Sequence, residues 1–558
     1  MTIPPPGQEP TPIPSPAASR AAVAIVLLHL GVATLLTPGY IVPDSLGTYA
    51  WLRSIVFGGD VLLFDEWAGF RLIRDGITLF KEVAPTGALA NHWGIGTSLL
   101  SAPAYLLAHA ASAADVSANG FSRLYGLALA WMAVLFGIGA SLAAASVLAR
   151  AGVRLRTALF AVAMVLVGTP MLWYEVRFPL GTHLAGVFCV GLLVLALERL
   201  TERADRGDLL VGLALGLAVV TRIQHVVLVP AVAVHLWRSG DRARRIALTA
   251  AGAAAPLAIQ GVVWAAVYGQ PLGPLAAGAA PLGGTWMAFG TNALAETLFS
   301  SYHGLLPWAP LFALAAAGWI LEVRRSRLAT TLLVMFIAEW IANGLFDRYF
   351  WGGMAFGPRR FVDLAVPAMI GLGWFLRRAS RWGWIAAALG ASWTALLFLA
   401  AASGTLDLAG DVRPGDLAGS VAAIAWSELP RALWGGSALA RAPGLFFGGA
   451  AIAAVIGALA FFVARSRSAT FAASALLLGA GLVASIAAWG PTRERAPQHL
   501  TRYRIDVPMA RKAGPMLDAR ALFVDELRFL RNRGREAEAR KTEALIRAID
   551  RELAGGTK

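Results

Sequence analysis

"AAVAIVLLHLGVATLLTPGYIVPDSLGTYAWLRS", residues 21–54, joins a long apolar run to an abrupt mixture of acid, aromatics and base. The first part, 21–42, is long enough to cross a bilayer as a helix. An Asp at its exit, followed by Tyr49, Trp51 and Arg53, is more than a loop needs for solubility. Asp44 has two readings: a turn or helix-cap residue after Pro43, or a working carboxylate at the membrane surface. The twenty residues before the run, "MTIPPPGQEPTPIPSPAASR", are rich in Pro, Ser and Thr and cannot bury a core, so they read as a disordered tail. A cleaved signal would place its basic and apolar regions at the start, so 21–42 reads as a retained helix.

The rest of the chain repeats this apolar character. Of 558 residues, 57% are hydrophobic and 15% charged, well below the charged share of soluble domains. The mean hydropathy is +0.63. Apolar segments recur near 93–112, 122–148, 157–174, 182–198, 209–237, 246–267, 306–321, 329–346, 362–376, 383–402, 445–464 and 469–489. The expectation is an all-α polytopic membrane protein, a bundle of about 11–14 transmembrane helices over 21–490. The 209–237 run exceeds one simple pass and carries "TRIQH" (221–225), so it reads as two shorter helices meeting at a polar break.

The net charge of +15 does not indicate nucleic acid, because the arginines sit in short clusters between apolar segments. "RAGVRLR" (150–156), "RSGDRARR" (238–245), "RRSR" (324–327), "RRASR" (377–381) and "RSRS" (465–468) read as cytoplasmic loops of an inner-membrane, multi-pass protein. The alternate loops, 173–183, 268–305, 343–361 and 403–444, then form the outer, working face. One count does not close. With a cytoplasmic N-terminus, 150–156 falls outside unless 93–112 is re-entrant or a short crossing lies within 55–80. The lone Cys189 excludes disulfides and Cys-based metal sites. There is no HExxH and no P-loop, so neither a metal nor another cofactor is indicated.

The first outer loop, 43–92, contains "FDEWAGFRLIRDGITLF" (64–80), where Phe64, Trp67, Phe70 and Leu72 alternate with charges as in an interfacial helix. It closes with "NHWGIG" (91–96). Loops this long usually bind or catalyse. Residues 491–558 change character again and read as a soluble helical tail. It holds two amphipathic helices, Phe523, Leu527, Leu530 and Leu545, Ile549, Leu553 at helical spacing, separated by "NRG" (532–534).

Four stretches in order, "PDSLGTYAWLRS", "NHWGIGTSLLSAPAYLL", "FSSYHGLLPWAPL" (299–311) and "WGGMAFGPRRFVDLAVP" (351–367), resemble the type C membrane glycosyltransferases. The likeness is to the bacterial branch related to protein mannosyltransferases and the lipid A aminoarabinose transferase, over about residues 20–400. The mannosyltransferase pattern has Asp-Glu where this chain has Asp44-Ser45, which leaves the acceptor class open. The resemblance implies transfer of a sugar from a polyprenyl-phosphate carrier to a glycan, lipid or protein acceptor on the periplasmic side, without nucleic acid. Asp44 is then the general base, with Asp60, Asp65 and Glu66 as rival acids. Tyr49, Arg53, His92, His183, His303, Arg359 and Arg360 are candidate substrate-binding residues. Arginine pairs suit a leaving phosphate because the planar fork binds two oxygens. The bland alternatives are interface anchors for the arginines and core or loop hydrogen bonds for the histidines. Glu175 and Arg177 read equally as a mutual pair or as substrate contacts. A carrier or flippase for lipid-linked sugars is the alternative of a different class.

Overall fold

The computed structural model describes residues 16–37, 43–73, 83–112, 120–121, 123–199, 204–237, 241–275, 292–346, 352–353, 355–409, 412–435 and 513–555. They fold into helices: α1 (Pro16–Ala33), α2 (Pro43–Arg53), α3 (Phe64–Ile73), α4 (Gly96–Ala111), α5 (Arg123–Arg150), α6 (Leu155–Val167) and α7 (Met171–Val176). Then come α8 (His183–Arg199), α9 (Ala204–Thr221), α10 (Val229–Trp237), α11 (Arg242–Tyr268), α12 (Leu294–Phe299), α13 (Leu305–Trp308) and α14 (Leu311–Glu322). The last are α15 (Arg327–Phe346), α16 (Ala365–Arg378), α17 (Arg381–Ser403), α18 (Pro414–Ala422), α19 (Leu429–Trp434), α20 (Ala513–Asn532) and α21 (Glu536–Gly555). Among the described residues, α5, α11, α15 and α17 contain stretches long and apolar enough to cross a membrane. The expected spans at 445–464 and 469–489, and the N-terminal tail before residue 16, lie outside the described residues.

The differences from the expected spans have local causes. The first helix stops at Ala33, not 42. Thr37, which precedes Pro38-Gly39, is pulled out of helical pairing and donates its N–H to Val176 O at 2.8 Å. The 157–174 segment divides at Gly168–Pro170, and 306–321 divides at Ala309–Pro310, where proline lacks the donor a continuing helix needs. The 209–237 run breaks as expected: α9 ends at Thr221, a 3₁₀ turn spans Ile223–Leu228, and α10 follows.

Helix packing inside the bundle relies on small residues. On α9, an added Cβ at Gly212 would lie 1.9 Å from Thr249 O, and one at Gly216 would lie 2.7 Å from Ala253 O. This spacing of four lets the α9 and α11 backbones touch, the close approach by which membrane helices associate without a hydrophobic driving force. On the basic ends, Arg377 and Arg378 converge on buried Glu322, and Arg377 also donates to Ala151 O at 2.8 Å.

The segment after α1 is held by protein. Phe64 and Trp67, at 1% exposure each, were expected to face the membrane interface; instead they pack beneath the C-terminal pair α20–α21. Phe64 meets Phe529 at 5.9 Å between ring centroids, and Phe523, Leu545 and Ile549 join the same core. For Phe64 and Trp67 the apolar face is covered by another part of the chain, and 74–80 lie outside the described residues. At the edge, Arg535 Nη2 lies 3.6 Å from Asp60 Oδ2.

Candidate active site

Backbone and side-chain hydrogen bonds stitch "PDSLGTYAW" to "NHWGIGTS". Asn91 Nδ2 donates to Gly47 O at 2.7 Å, Trp51 Nε1 to Trp93 O at 3.1 Å, and Ser98 Oγ to Thr48 O at 2.5 Å. Gln260 on α11 accepts the Ile95 N–H at 2.8 Å. Asp44, in the first turn of α2, and His92 are thereby mounted on one frame. Gly94 lets that frame lie against the end of α9, since an added Cβ there would fall 2.0 Å from Val220 O.

The frame forms one wall of a cavity of about 340 Å³. Asp44, His92 and Trp93 face it from the segment between α1 and α4, and Thr182 and His183 from the start of α8. Arg222 and Gln224 reach it from the break after α9, Trp264 from α11, and Arg359 and Arg360 from the 3₁₀ turn Arg359–Leu364. Gly352 has φ +76, and an added Cβ there would sit 2.7 Å from Arg359 Nε, so the loop must be bare for that side chain to lie where it does.

Arg359 Nη1 approaches Asp44 Oδ2 at 3.4 Å. The two side chains are 27% and 41% exposed, so the pair is long and wet, of the kind worth at most about 1 kcal/mol, and the carboxylate is accessible to a proton donor. The cation beside Asp44 is therefore Arg359. His92 stacks on Trp93 at 3.8 Å; its burial pushes the imidazole down to about 4 against the upward pull of Asp44, so it is neutral at pH 7.

Beneath the wall lies a buried polar group. Arg222 donates Nη1 to His183 Nδ1 at 2.7 Å and to Thr182 Oγ1 at 2.9 Å, and Nη2 to Gln224 Oε1 at 3.0 Å. Its Nε is 3.0 Å from Asp363 Oδ2, which also accepts from Gln224 Nε2 at 3.1 Å. Arg222 and Asp363 are opposite charges held together, which offsets part of the cost of taking both out of water.

Of the expected site residues, the cavity gathers Asp44, His92, His183, Arg359 and Arg360. Tyr49, Arg53 and His303 are not among its lining. Tyr49 is 2% exposed, edge-on to Tyr105 and stacked on Phe121, and burial raises its phenol above the ordinary range. Arg53 donates to Glu66 Oε1 at 2.7 Å and lies over the Phe121 ring at 4.7 Å, bracing the loop from inside. His303, with φ 61, stacks on Tyr302 and meets the edge of Trp308. The rival acids are also occupied: Asp60 accepts from Ser54 Oγ at 2.9 Å, and Asp65 and Glu66 are buried. Glu175 and Arg177 neither pair nor line the cavity. Glu175 takes His29 Nδ1 at 2.7 Å, while Arg177 donates to Ala432 O and Leu433 O at 3.1 Å.

Solved structures of two proteins resemble this arrangement of helices. ArnT from Cupriavidus metallidurans in the apo state matches with TM-score 0.45 and 16% identity, covering 90% of this chain and 79% of that one. ArnT bound to undecaprenyl phosphate matches at 0.44 and 14%, with the same coverage. The Archaeoglobus fulgidus oligosaccharyltransferase in the apo form matches at 0.41 and 14%, covering 75% of this chain and 56% of that one. No family model and no curated protein matches the chain. At such low identity and TM-score, the chemistry has to be read from the cavity's own residues.

Sequence reasoning missed Arg222, Gln224 and Asp363 as parts of the site. The signal existed: "TRIQH" interrupts an apolar run, and Asp363 is a carboxylate inside the quoted "GPRRFVDLAVP". Ionisable groups within a span mark function or a partner, but nothing in the sequence pairs residues 222 and 363. Among the described residues, no group of three or more His, Cys, Asp and Glu is arranged to hold a metal.

Proposed function

We propose that this chain is a membrane glycosyltransferase that moves a hexosyl or pentosyl group from a polyprenyl-phosphate carrier to an acceptor hydroxyl at the outer face of the cytoplasmic membrane. The observation that carries the reading is one cavity in which Asp44 is the single carboxylate among the described lining residues, opposed by Arg222, Arg359 and Arg360. An acceptor hydroxyl is a weak nucleophile, so its proton must go to a base as oxygen attacks the anomeric carbon. Asp44 takes that proton. The bond from the anomeric carbon to the phosphate oxygen breaks, and the carrier leaves as a phosphate monoester. Its developing charge falls on Arg359 and Arg360, positioned before the reaction begins. One displacement inverts the anomeric configuration. His92, neutral, and Trp93 and Trp264 line the space for a sugar ring and its hydroxyls. Glycan, lipid and protein acceptors all present the required hydroxyl, and membrane lipid surrounds the bundle.

The test uses purified protein, a polyprenyl-phosphate sugar with labelled sugar, and an envelope extract as acceptor source. Label should move to acceptor with inverted configuration as polyprenyl phosphate is released. Label that remains on the carrier across a panel of hexosyl and pentosyl donors rejects the reading.

A further inference from the structure

His183 lines the cavity, and the atoms around it decide where its proton is. A guanidinium has five N–H donors and no acceptor. Since Arg222 Nη1 donates to His183 Nδ1 at 2.7 Å, Nδ1 must carry its lone pair. An imidazolium would set a second N–H against that donor. The ring is therefore neutral, with its proton on Nε2, and Tyr174 packs against it at 4.0 Å between centroids, tilted by 40°.

What holds Arg222 in this attitude is Asp363, which is 2% exposed and does not line the cavity. Its Oδ2 forms an ion pair with Arg222 Nε at 3.0 Å, accepts from Gln224 Nε2 at 3.1 Å and lies 3.0 Å from His225 Nε2, so it ties the Arg222–Gln224 pair to the bundle interior. Gly186 makes room for this pairing. An added Cβ there would lie 2.5 Å from Asp363 Oδ1 and 2.8 Å from Arg222 Cδ, and Gly186 sits one turn after His183 on α8. The arrangement runs from a buried acid through an arginine to a histidine at the cavity, with each member's role set by donor count.

We propose that Arg222, anchored by Asp363, is a positioning residue that fixes His183 as the Nε2–H tautomer and so presents a neutral donor to a substrate oxygen. The substrate half of this statement rests on the transferase reading; the tautomer does not. A neutral donor suits this wall. Arg359 and Arg360 already supply positive charge, whereas a sugar hydroxyl or phosphate oxygen still needs a directional hydrogen bond.

The experiment is nitrogen-15 histidine NMR on the full chain in bilayers at neutral pH, with the His183 signal identified by its loss in His183→Asn. Wild type should show His183 protonated on Nε2 alone. Arg222→Gln, whose amide can turn either its oxygen or its NH2 to the ring, and Asp363→Asn should each give a mixture of both tautomers, while Arg222→Lys, which has donors and no acceptor, should restore Nε2–H. In the transfer assay, Arg222→Gln should lower kcat/KM by about tenfold, the scale of one well-placed hydrogen bond, with Arg222→Lys recovering part of it. A wild-type signal protonated on Nδ1, or an imidazolium, overturns the proposal even if no variant folds. So does a His183 tautomer unchanged in both Arg222→Gln and Asp363→Asn. If the wild type transfers no sugar, the transferase reading falls and the spectra still decide the tautomer.

Discussion

Asp44→Asn keeps the side chain's shape and removes its ability to take a proton. Turnover with a polyprenyl-phosphate sugar should fall by about two to four orders of magnitude, with carrier binding retained; near-normal turnover would dismiss Asp44 as the base. Arg360→Ala should release bound polyprenyl phosphate in native mass spectrometry, and Arg360→Lys should restore it only in part, because an ammonium cannot grip two oxygens at once. His92 makes a pH prediction. Burial holds it at about 4 in the folded chain, below the ordinary 6.5, so the unfolded chain takes up a proton first as pH falls. Stability is complete above about 6.5 and is lost toward 4, by up to about 3 kcal/mol. His92→Gln should flatten that acid limb in plots of Tm against pH. An identical slope in both proteins would show that other groups carry it.

At the scale of elements, two contacts decide how the Asp44 frame is held. The first is the seat of "NHWGIG" on α9. Gly94→Ala puts a methyl on Val220 O, and a lower Tm with a shift of about 1–3 kcal/mol is expected, since a backbone neighbour cannot rotate away. The second is α20–α21 on α3. Phe523, fully buried there, should cost about 3–5 kcal/mol as Phe523→Ala. Arg535→Ala, which loses partly exposed pairs with Asp60 and Glu538, should cost less than about 1 kcal/mol. Thermal unfolding in detergent compares the two, and equal losses would mean that charge rather than apolar burial docks the C-terminal helices.

At the scale of the whole molecule, the fold was legible because a bilayer admits few solutions. Long apolar segments must be helices, with their backbone groups paired internally, and the "TRIQH" break announced itself as polar residues where none are cheap. Asp44, His92, His183, Arg359 and Arg360 could be picked out because each stands at the edge of an apolar segment, where polarity has to be explained. Tyr49, Arg53 and His303 satisfy the same criterion yet turn inward, for exit from a span constrains depth and not direction. Linear order alone established a helical membrane protein, its break at "TRIQH", its polar span ends and two amphipathic helices at the C-terminus. Only the tertiary structure decided that Arg359 and not Arg53 stands beside Asp44, that Asp363 and Arg222 are partners, and that α20–α21 covers α3. Each of those depends on contacts between residues far apart in sequence. A helix pattern specifies which face is apolar, whereas the partner that covers it is selected by packing of the entire chain.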